Sequence, residues 1–284
     1  MNQYMTKPVK NPHILLLGCG YVGRQLLATY PWGDTTTLTK HHQAQNSPYH
    51  QVTFSLDDVS SWRHLPEQAD VMVLTIPPAF AEREQEQHRI RRWCQWMVEH
   101  RPKLKRLIYI STTGVYADSA GQFSERSECL PTSVRGWLRL DTERILSEYF
   151  DSVVLRCGGI YGKGSNMVEK IRQAKPVFAG NKPMYRIHLE DLMAVIRLLA
   201  VRVNWPHMAF NLVDDRATSQ DELLAFLQAN SGFMTSIDDM TLQQKRLDSQ
   251  MLNQVRTITN DGLMQQLDYQ LKYPCCLAGL ECFI

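Results

Sequence analysis

The sequence predicts an α/β fold: a doubly wound parallel sheet with a small cap built from the C-terminal part of the chain. Three observations predict it. Short apolar segments alternate with amphipathic ones from His13 to Arg156, the rhythm of parallel strands joined by helices. The first apolar segment stops at a glycine-rich loop, and the segment after the loop has helical spacing. Beyond Arg156 the rhythm loosens and glycines crowd between Gly158 and Gly164. The core domain is therefore expected over residues 12–156, with about 188–213 returning to it. The cap is expected over about 157–187 and 214–284.

Each element has its own signal. Residues 13–17 are an apolar run ended by glycine, which reads as a buried parallel strand. Residues 21–30 follow as a helix with Val22, Leu26 and Leu27 on one face. Residues 35–39 are rich in β-branched side chains and read as a second strand. Residues 51–54 read as a third strand, and 70–76 as a fourth, closed by Pro77-Pro78. A long amphipathic helix is expected over about 81–99, with Ile90, Trp93, Cys94, Met97 and Val98 on one face. Residues 107–111 are a fifth strand, about 134–150 a second long helix, and 153–156 a sixth strand. A helix over 189–201, a strand over 209–213 and a helix over about 219–229 follow. Ser219 and Glu222 form a capping box at the start of the last helix.

Composition narrows the function classes. Hydrophobic residues make up 44% and charged residues 21%, ordinary for a chain that buries a core. The formal charge of +2 gives no footprint for nucleic acid. Arg89, Arg91 and Arg92 share a helix with Glu82, Glu84 and Glu86 and read as a solvated face. No apolar run approaches the ~18–20 residues of a membrane helix. Residues 1–12 are polar and read as a loose leader without a signal-peptide core. The seven cysteines include no C-x-x-C pair and the nine histidines no H-E-x-x-H, so no metal site is expected. Cys275, Cys276 and Cys282 read as buried or incidental thiols, and a reducing cytoplasm fits this usage.

The loop Gly18-Cys19-Gly20-Tyr21-Val22-Gly23 lies between a predicted strand and a predicted helix. That is the context the G-x-G-x-x-G fingerprint of a Rossmann domain requires. The first glycine serves a tight turn, the second a close approach of backbone to a pyrophosphate, the third helix–strand packing. A dinucleotide is the expected ligand. An acidic residue about 20 positions on would favour NAD. This chain has Thr39-Lys40-His41-His42 there, and Lys40 could pair with a 2'-phosphate, so NADP is expected ahead of NAD.

Further stretches resemble the extended short-chain dehydrogenase/reductases, a family that includes nucleotide-sugar epimerases and dehydratases. Ile110-Ser111-Thr112-Thr113-Gly114-Val115-Tyr116 is similar to the fifth-strand motif that ends in Val-Tyr-Gly. Leu155 to Gly164 is similar to an "LR…GIYGPG" segment, Arg186 to Leu192 to "R-I-H-x-x-D-L", and Phe210 to Asp215 to "YNVVDD". The glycine loop lacks the usual TGxxGxxG form, which points to an atypical branch. The resemblance implies a cofactor site that includes Ser111. It also implies a catalytic Ser/Thr at Thr112 and a Tyr-x-x-x-Lys pair on the helix that carries Glu143. Counting back from Glu143 puts Arg135 at the tyrosine position and Arg139 at the lysine position.

That exchange changes the chemistry. A guanidinium has a pKa above ~12, so Arg135 cannot cycle a proton at neutral pH. Arg139 could still donate hydrogen bonds to ribose hydroxyls. A positioned acid/base contributes about 10^2–10^4 in rate, roughly 3–5 kcal/mol. Tyr116, just past the fifth strand, is a candidate substitute acid. His188 is another, because its ordinary pKa suits proton transfer. Tyr161 is a third candidate, on a par with His188. Arg135 and Arg139 are one helical turn apart and could together grip a carboxylate or phosphate; the alternative is that both are solvated.

Two functional readings follow. One is an NAD(P)-dependent oxidoreductase or epimerase-like enzyme with an atypical acid/base, acting on a small hydroxylated or anionic substrate. The other is a dinucleotide-binding sensor or interaction protein with little catalysis. A lyase or isomerase using the same crevice for non-redox chemistry is a third. Trp93, Trp96 and Trp137 lie on the two long helices, which in related proteins build a dimer. They are read either as core or as a homodimer interface.

Overall fold

The strands expected along the first half of the chain pair into one sheet in the computed structural model, which describes residues 11–30, 32, 35–39, 49–172, 178–206, 208–230, 243–244 and 256–284. The expected leader falls largely outside these residues, as do Lys40, His41 and His42. In chain order the elements begin β1 (Ile14–Leu17), α1 (Tyr21–Thr29), β2 (Thr35–Thr39), β3 (His50–Thr53), α2 (Val59–Trp62), β4 (Val71–Leu74) and α3 (Arg83–His100). They continue with β5 (Arg106–Thr112), β6 (Gly121–Phe123), α4 (Val134–Tyr149), β7 (Asp151–Cys157), β8 (Gly159–Tyr161), α5 (Met167–Arg172), β9 (Phe178–Ala179) and β10 (Arg186–His188). The last are α6 (Leu189–Ala200), β11 (Ala209–Leu212), α7 (Gln220–Asn230), β12 (Gln243–Gln244), β13 (Arg256–Ile258), α8 (Asp261–Leu267) and α9 (Cys276–Leu280).

The chain divides into two compact units. The first is Met1–Ala117, Cys129–Arg156 and Met193–Phe210; the second is Asp118–Glu128, Cys157–Leu192 and Asn211–Ile284.

The sheet order is β11-β7-β5-β4-β1-β2-β3. The pairs β5–β4, β4–β1, β1–β2 and β2–β3 are parallel. β1 and β4 are buried along their whole length, which is why they read as unbroken apolar runs rather than alternating ones. Side chains alternate across the sheet. Leu15, Leu17, Met72, Leu74, Leu107 and Tyr109 pack with Ile90, Trp93 and Met97 of α3 and with Ile145 and Leu146 of α4. Leu16 points the other way, toward Gly23 of α1, where an added Cβ would lie 3.3 Å from its Cδ2. Helices on both faces make the sheet doubly wound.

Local chemistry sets the boundaries. The Ser133 hydroxyl accepts from the Gly136 N–H at 3.1 Å and so starts α4. In the second unit, the Ser219 hydroxyl accepts from Glu222 N at 3.1 Å, and the Glu222 carboxylate accepts from Ser219 N at 2.7 Å. This is the reciprocal box expected from the sequence.

Some expectations change. Arg89 is not on a solvated face: it is buried, with its guanidinium donating to Asp57 at 2.7 Å and Glu86 at 2.8 Å. Trp93 is fully buried and packs on Phe150, so for it the core reading holds. Arg83 donates to both oxygens of Asp141, at 2.7 and 2.9 Å, and lies over the Trp137 ring.

The second unit rests on a smaller cluster of Tyr161, Val168, Leu223, Leu224, Leu227, Cys276 and Leu280. Its strands are two or three residues long and pair in parallel as β8–β10, β6–β13 and β9–β12. Strands this short carry no readable periodicity, so the sequence reading did not find them.

Candidate functional site

The glycine loop leaves β1 and enters α1. Gly18 has φ of +103°, a conformation that side chains other than glycine rarely adopt. A Cβ there would also meet Thr75 Oγ1 at 2.7 Å and Ile76 Cγ1 at 2.9 Å. At Gly23 a Cβ would overlap the Gly18 carbonyl oxygen at 2.4 Å. At Gly20 it would meet nothing within 4 Å. The outer glycines are thus required by the packing of the loop. The middle one faces open space.

Gly20 is the N-cap of α1, and no side chain caps it. The first-turn N–H groups of a helix have no acceptor within the helix, and its positive end favours an anion. Tyr21 and Val22, in that first turn, are half-buried. Burial raises the pKa of the half-buried Cys19 thiol above its ordinary value, although Arg24 opposes it.

Thr75 was not singled out from the sequence. Its hydroxyl lies 2.7 Å from the Gly18 carbonyl oxygen and 3.3 Å from that of Leu17. Its N–H donates to Leu17 O at 2.9 Å. The signal for it is register: Leu17 stands level with Leu74, so the residue after β4 reaches the loop after β1.

The same level continues to β5, where Leu74 pairs with Tyr109. Thr112 ends this strand. Its half-buried hydroxyl accepts from Gly114 N at 3.1 Å and leaves its own proton to donate. The start of α4 docks on this turn so closely that a Cβ at Gly136 would fall 2.3 Å from the Gly114 carbonyl oxygen.

Docking there divides the arginine pair. Arg135 is exposed, whereas Arg139 is 9% exposed. Arg139 Nη1 donates to the Tyr109 hydroxyl at 2.9 Å and to Ile110 O at 3.0 Å. Its Nε is buried without a partner. Burial raises the Tyr109 phenol pKa, against the pull of Arg139.

Next to it lies a closed polar chain. The Ser111 hydroxyl donates to Glu143. The other Glu143 oxygen accepts from Arg156 Nε at 3.1 Å and Nη2 at 2.8 Å. Arg156 Nη1 donates to the Tyr116 hydroxyl at 2.9 Å, and Tyr116 is 1% exposed. Burial pulls the Arg156 pKa down, but the Glu143 carboxylate outweighs it and holds the guanidinium above its ordinary value. The structure therefore places Ser111 and Tyr116 in a buried network that ties β5, α4 and β7.

In the second unit His188 is buried. Its Nδ1 accepts from Glu190 N at 3.2 Å, at the start of α6. The ring lies against Tyr161, Tyr273 and Phe283, and Nε2 has no partner. Burial lowers its pKa; Glu190 and Asp191 oppose that, while Lys272 adds to it. Asp191 accepts from the Tyr269 hydroxyl at 2.7 Å, Lys272 N at 2.7 Å and Tyr273 N at 3.1 Å, which pins the segment before α9.

The Tyr161 hydroxyl fits against α9 only because residue 279 is glycine: a Cβ there would lie 2.0 Å from it. Asp214 accepts from Arg186 N at 2.8 Å through one oxygen, and its other oxygen is buried without a partner. Burial pushes this carboxyl up to about 7. Among the described residues no His, Cys, Asp and Glu cluster could hold a metal ion, and no helix is long and apolar enough to cross a membrane.

No protein-family model matches the chain, and no curated protein matches it. Solved structures do. One, described as an NAD-dependent epimerase/dehydratase from Methylobacillus flagellatus, is 21% identical, with a TM-score of 0.69 over 95% of this chain and 97% of that one. The dTDP-glucose 4,6-dehydratase of Bacillus anthracis in complex with NAD is 16% identical, with a TM-score of 0.73 over 95% and 94%. The ADP-L-glycero-D-manno-heptose-6-epimerase of Helicobacter pylori is 17% identical, with a TM-score of 0.74 over 99% and 98%. The chain therefore has the Rossmann-type α/β fold of the NAD-dependent epimerase and dehydratase structures.

Proposed function

We propose that the chain binds a nicotinamide dinucleotide on the loop from Gly18 to Gly23 and acts as an oxidoreductase or epimerase-like enzyme on a small hydroxylated or anionic substrate. One observation carries this reading. Two glycines are packed tight by the fold, and the one between them opens onto free space at an uncapped helix start. That arrangement fits a pyrophosphate held by main-chain N–H groups. The likeness to a dehydratase that holds NAD supports it. NADP would be favoured by Lys40, which lies outside the described residues.

Bound there, the nicotinamide would supply a hydride acceptor or donor. The chain's own part is to hold and orient. Cys19 to Gly23 would hold the diphosphate. Thr75 would keep Gly18 in place. Thr112 would donate its free proton to a substrate oxygen at the end of β5. The second unit would serve as the substrate cap.

Tyr116 is the substitute acid the sequence offers. Accepting from Arg156 leaves the phenol its own proton and would stabilise the phenolate, but at 1% exposure the hydroxyl can serve only if the substrate reaches it. Tyr116→Phe tests it: loss of at least ~100-fold in kcat with unchanged dinucleotide affinity would support the role, and retained kcat would remove it. His188 would have to leave the aromatic rings that enclose it.

A second reading has its own support. The tyrosine position holds an exposed arginine, and both substitutes are enclosed. A dinucleotide-binding sensor with little turnover fits that. Titration with NAD(H) and NADP(H) followed by tryptophan fluorescence separates the cases. Binding with turnover of a sugar, keto acid or aldehyde favours the enzyme, and binding alone favours the sensor. No binding of any form removes both. A homodimer across α3 and α4 belongs to the same proposal; elution as a monomer at micromolar concentration would retire it. Action in the cytoplasm is the setting we propose for it.

A further inference from the structure

The first unit buries three arginines among its described residues, Arg89, Arg139 and Arg156. Burying a charge is costly unless it is paired. Arg89 is paired with Asp57 and Glu86, and Arg156 with Glu143. Arg139 makes no ion pair among the described residues. Its hydrogen bonds go to two neutral oxygens, both through Nη1. Nε is buried and unpartnered, and no hydrogen bond engages Nη2.

The unused part of this guanidinium is thus one whole edge, Nε and Nη2. Two parallel N–H donors on one flat edge match the two oxygens of a carboxylate. The other edge is anchored, so the fork is already oriented. α4 is locked on the turn after β5 by Gly136, and the anchor points Tyr109 and Ile110 lie in β5 just before Thr112. Ligands bind at the carboxyl ends of the strands in open parallel sheets.

We infer that Arg139 is the receptor for a carboxylate on the substrate, so that the substrate class is an acid rather than a neutral sugar or alcohol. This rests on the proposed function for the identity of the crevice, but it assigns the charge to Arg139 alone. Arg135, one turn earlier, is exposed and carries no part of it. A neutral hydroxyl, such as one of the nicotinamide ribose, could accept from the same edge but would leave the buried charge unpaired.

The test uses the full chain as wild type, Arg139→Gln and Arg139→Lys. Glucuronate and glucose, which differ by a carboxylate, are titrated by calorimetry with and without NAD. NAD itself is titrated into all three proteins. Glucuronate should bind wild type about tenfold more tightly than glucose, or better. The preference should vanish in Arg139→Gln, and NAD affinity should change by less than about twofold. Equal binding of the two sugars, no binding of either, or a preference that survives Arg139→Gln overturns the inference. A fall of about tenfold or more in NAD affinity in Arg139→Gln also overturns it, by assigning the edge to the cofactor.

Failure of NAD to bind wild type removes the dinucleotide reading; a glucuronate preference that persists there still supports Arg139. If Arg139→Gln does not fold, Arg139→Lys decides. It keeps the charge but loses the flat edge, so the preference should drop by about threefold or more. An unchanged preference overturns the inference.

Discussion

At Gly20 the fold asks for no glycine. A methyl group would meet no protein atom within 4 Å, and the backbone, at φ −76° and ψ −152°, is extended. Ala is a slightly poorer N-cap than glycine but costs less chain entropy on folding, and each effect is below about 1 kcal/mol. Gly20→Ala should therefore unfold within about 1 kcal/mol of wild type while its dinucleotide affinity falls about tenfold or more. Gly23→Ala should behave in the opposite way. Its methyl would press on the Gly18 carbonyl oxygen at 2.4 Å and cost about 1–3 kcal/mol of stability. Urea unfolding beside a binding titration reads both, and equal losses of affinity and stability at Gly20 would sink the assignment. Thr75 completes the argument at this scale. Thr75→Val keeps the shape but leaves Gly18 O without its 2.7 Å hydroxyl, at a cost of about 1–3 kcal/mol, and weakens dinucleotide binding. Thr75→Ser, which retains the hydroxyl, should restore both. If serine behaves like valine, the hydroxyl is not what holds the loop.

Among the elements, α4 shows how far the sequence could be read. Its span was legible as about 134–150, and the structure gives Val134–Tyr149 with Ser133 as the cap. The depth of its polar residues was not. Arg135 and Arg139 are one turn apart and look equivalent in sequence. Which of them is buried depends on how α4 is rotated on the sheet, and Gly136 against Gly114 sets that. Thr75 was missed for a similar reason, since its role follows from strand register rather than from any local pattern. The glycine loop was legible because its G-x-G-x-x-G spacing sits between a strand and a helix, and Gly18 and Gly23 each answer a local demand of packing. The β6–β13 pair could not be found: three residues at Gly121 pair with three at Arg256, far apart in the chain. The buried chain along α4 gives a test of its own. Arg156→Met should leave Glu143 buried and uncompensated, at a cost of about 3–5 kcal/mol. Adding Glu143→Gln should recover most of that loss, because the orphaned charge is then gone. Equilibrium unfolding of the two single variants and the double variant measures the coupling. Purely additive losses would mean that the pair does not act as a unit.

For the whole chain, stability should depend on pH through two buried groups of opposite sign. Asp214 has a carboxyl raised to about 7 by burial, from an ordinary 3.8. Its protonated form is the one the fold favours. The stability it contributes is complete below about pH 4 and is lost as pH rises through 7. His188 has a pKa lowered from 6.5 by burial, so its neutral form is favoured. Its contribution is present above about pH 6.5 and is lost as pH falls through the folded value. The two slopes oppose each other, which makes a single titration curve uninformative. A substitution at Asp214 separates them. Asn keeps the Oδ1 that accepts from Arg186 N but cannot ionise. Asp214→Asn should therefore match wild type below about pH 4, exceed it increasingly between about pH 4 and 7, and hold a constant advantage above that. The ceiling of that difference is about 4 kcal/mol, from roughly three pKa units at about 1.4 kcal/mol each. Denaturant unfolding of both proteins from about pH 4 to about pH 8 gives the difference curve, and in it the His188 contribution cancels. A difference that stays flat across this range would show that Asp214 is ionised throughout. It would also mean that Arg186 and the surrounding backbone donors solvate that carboxylate far better than their positions around it indicate.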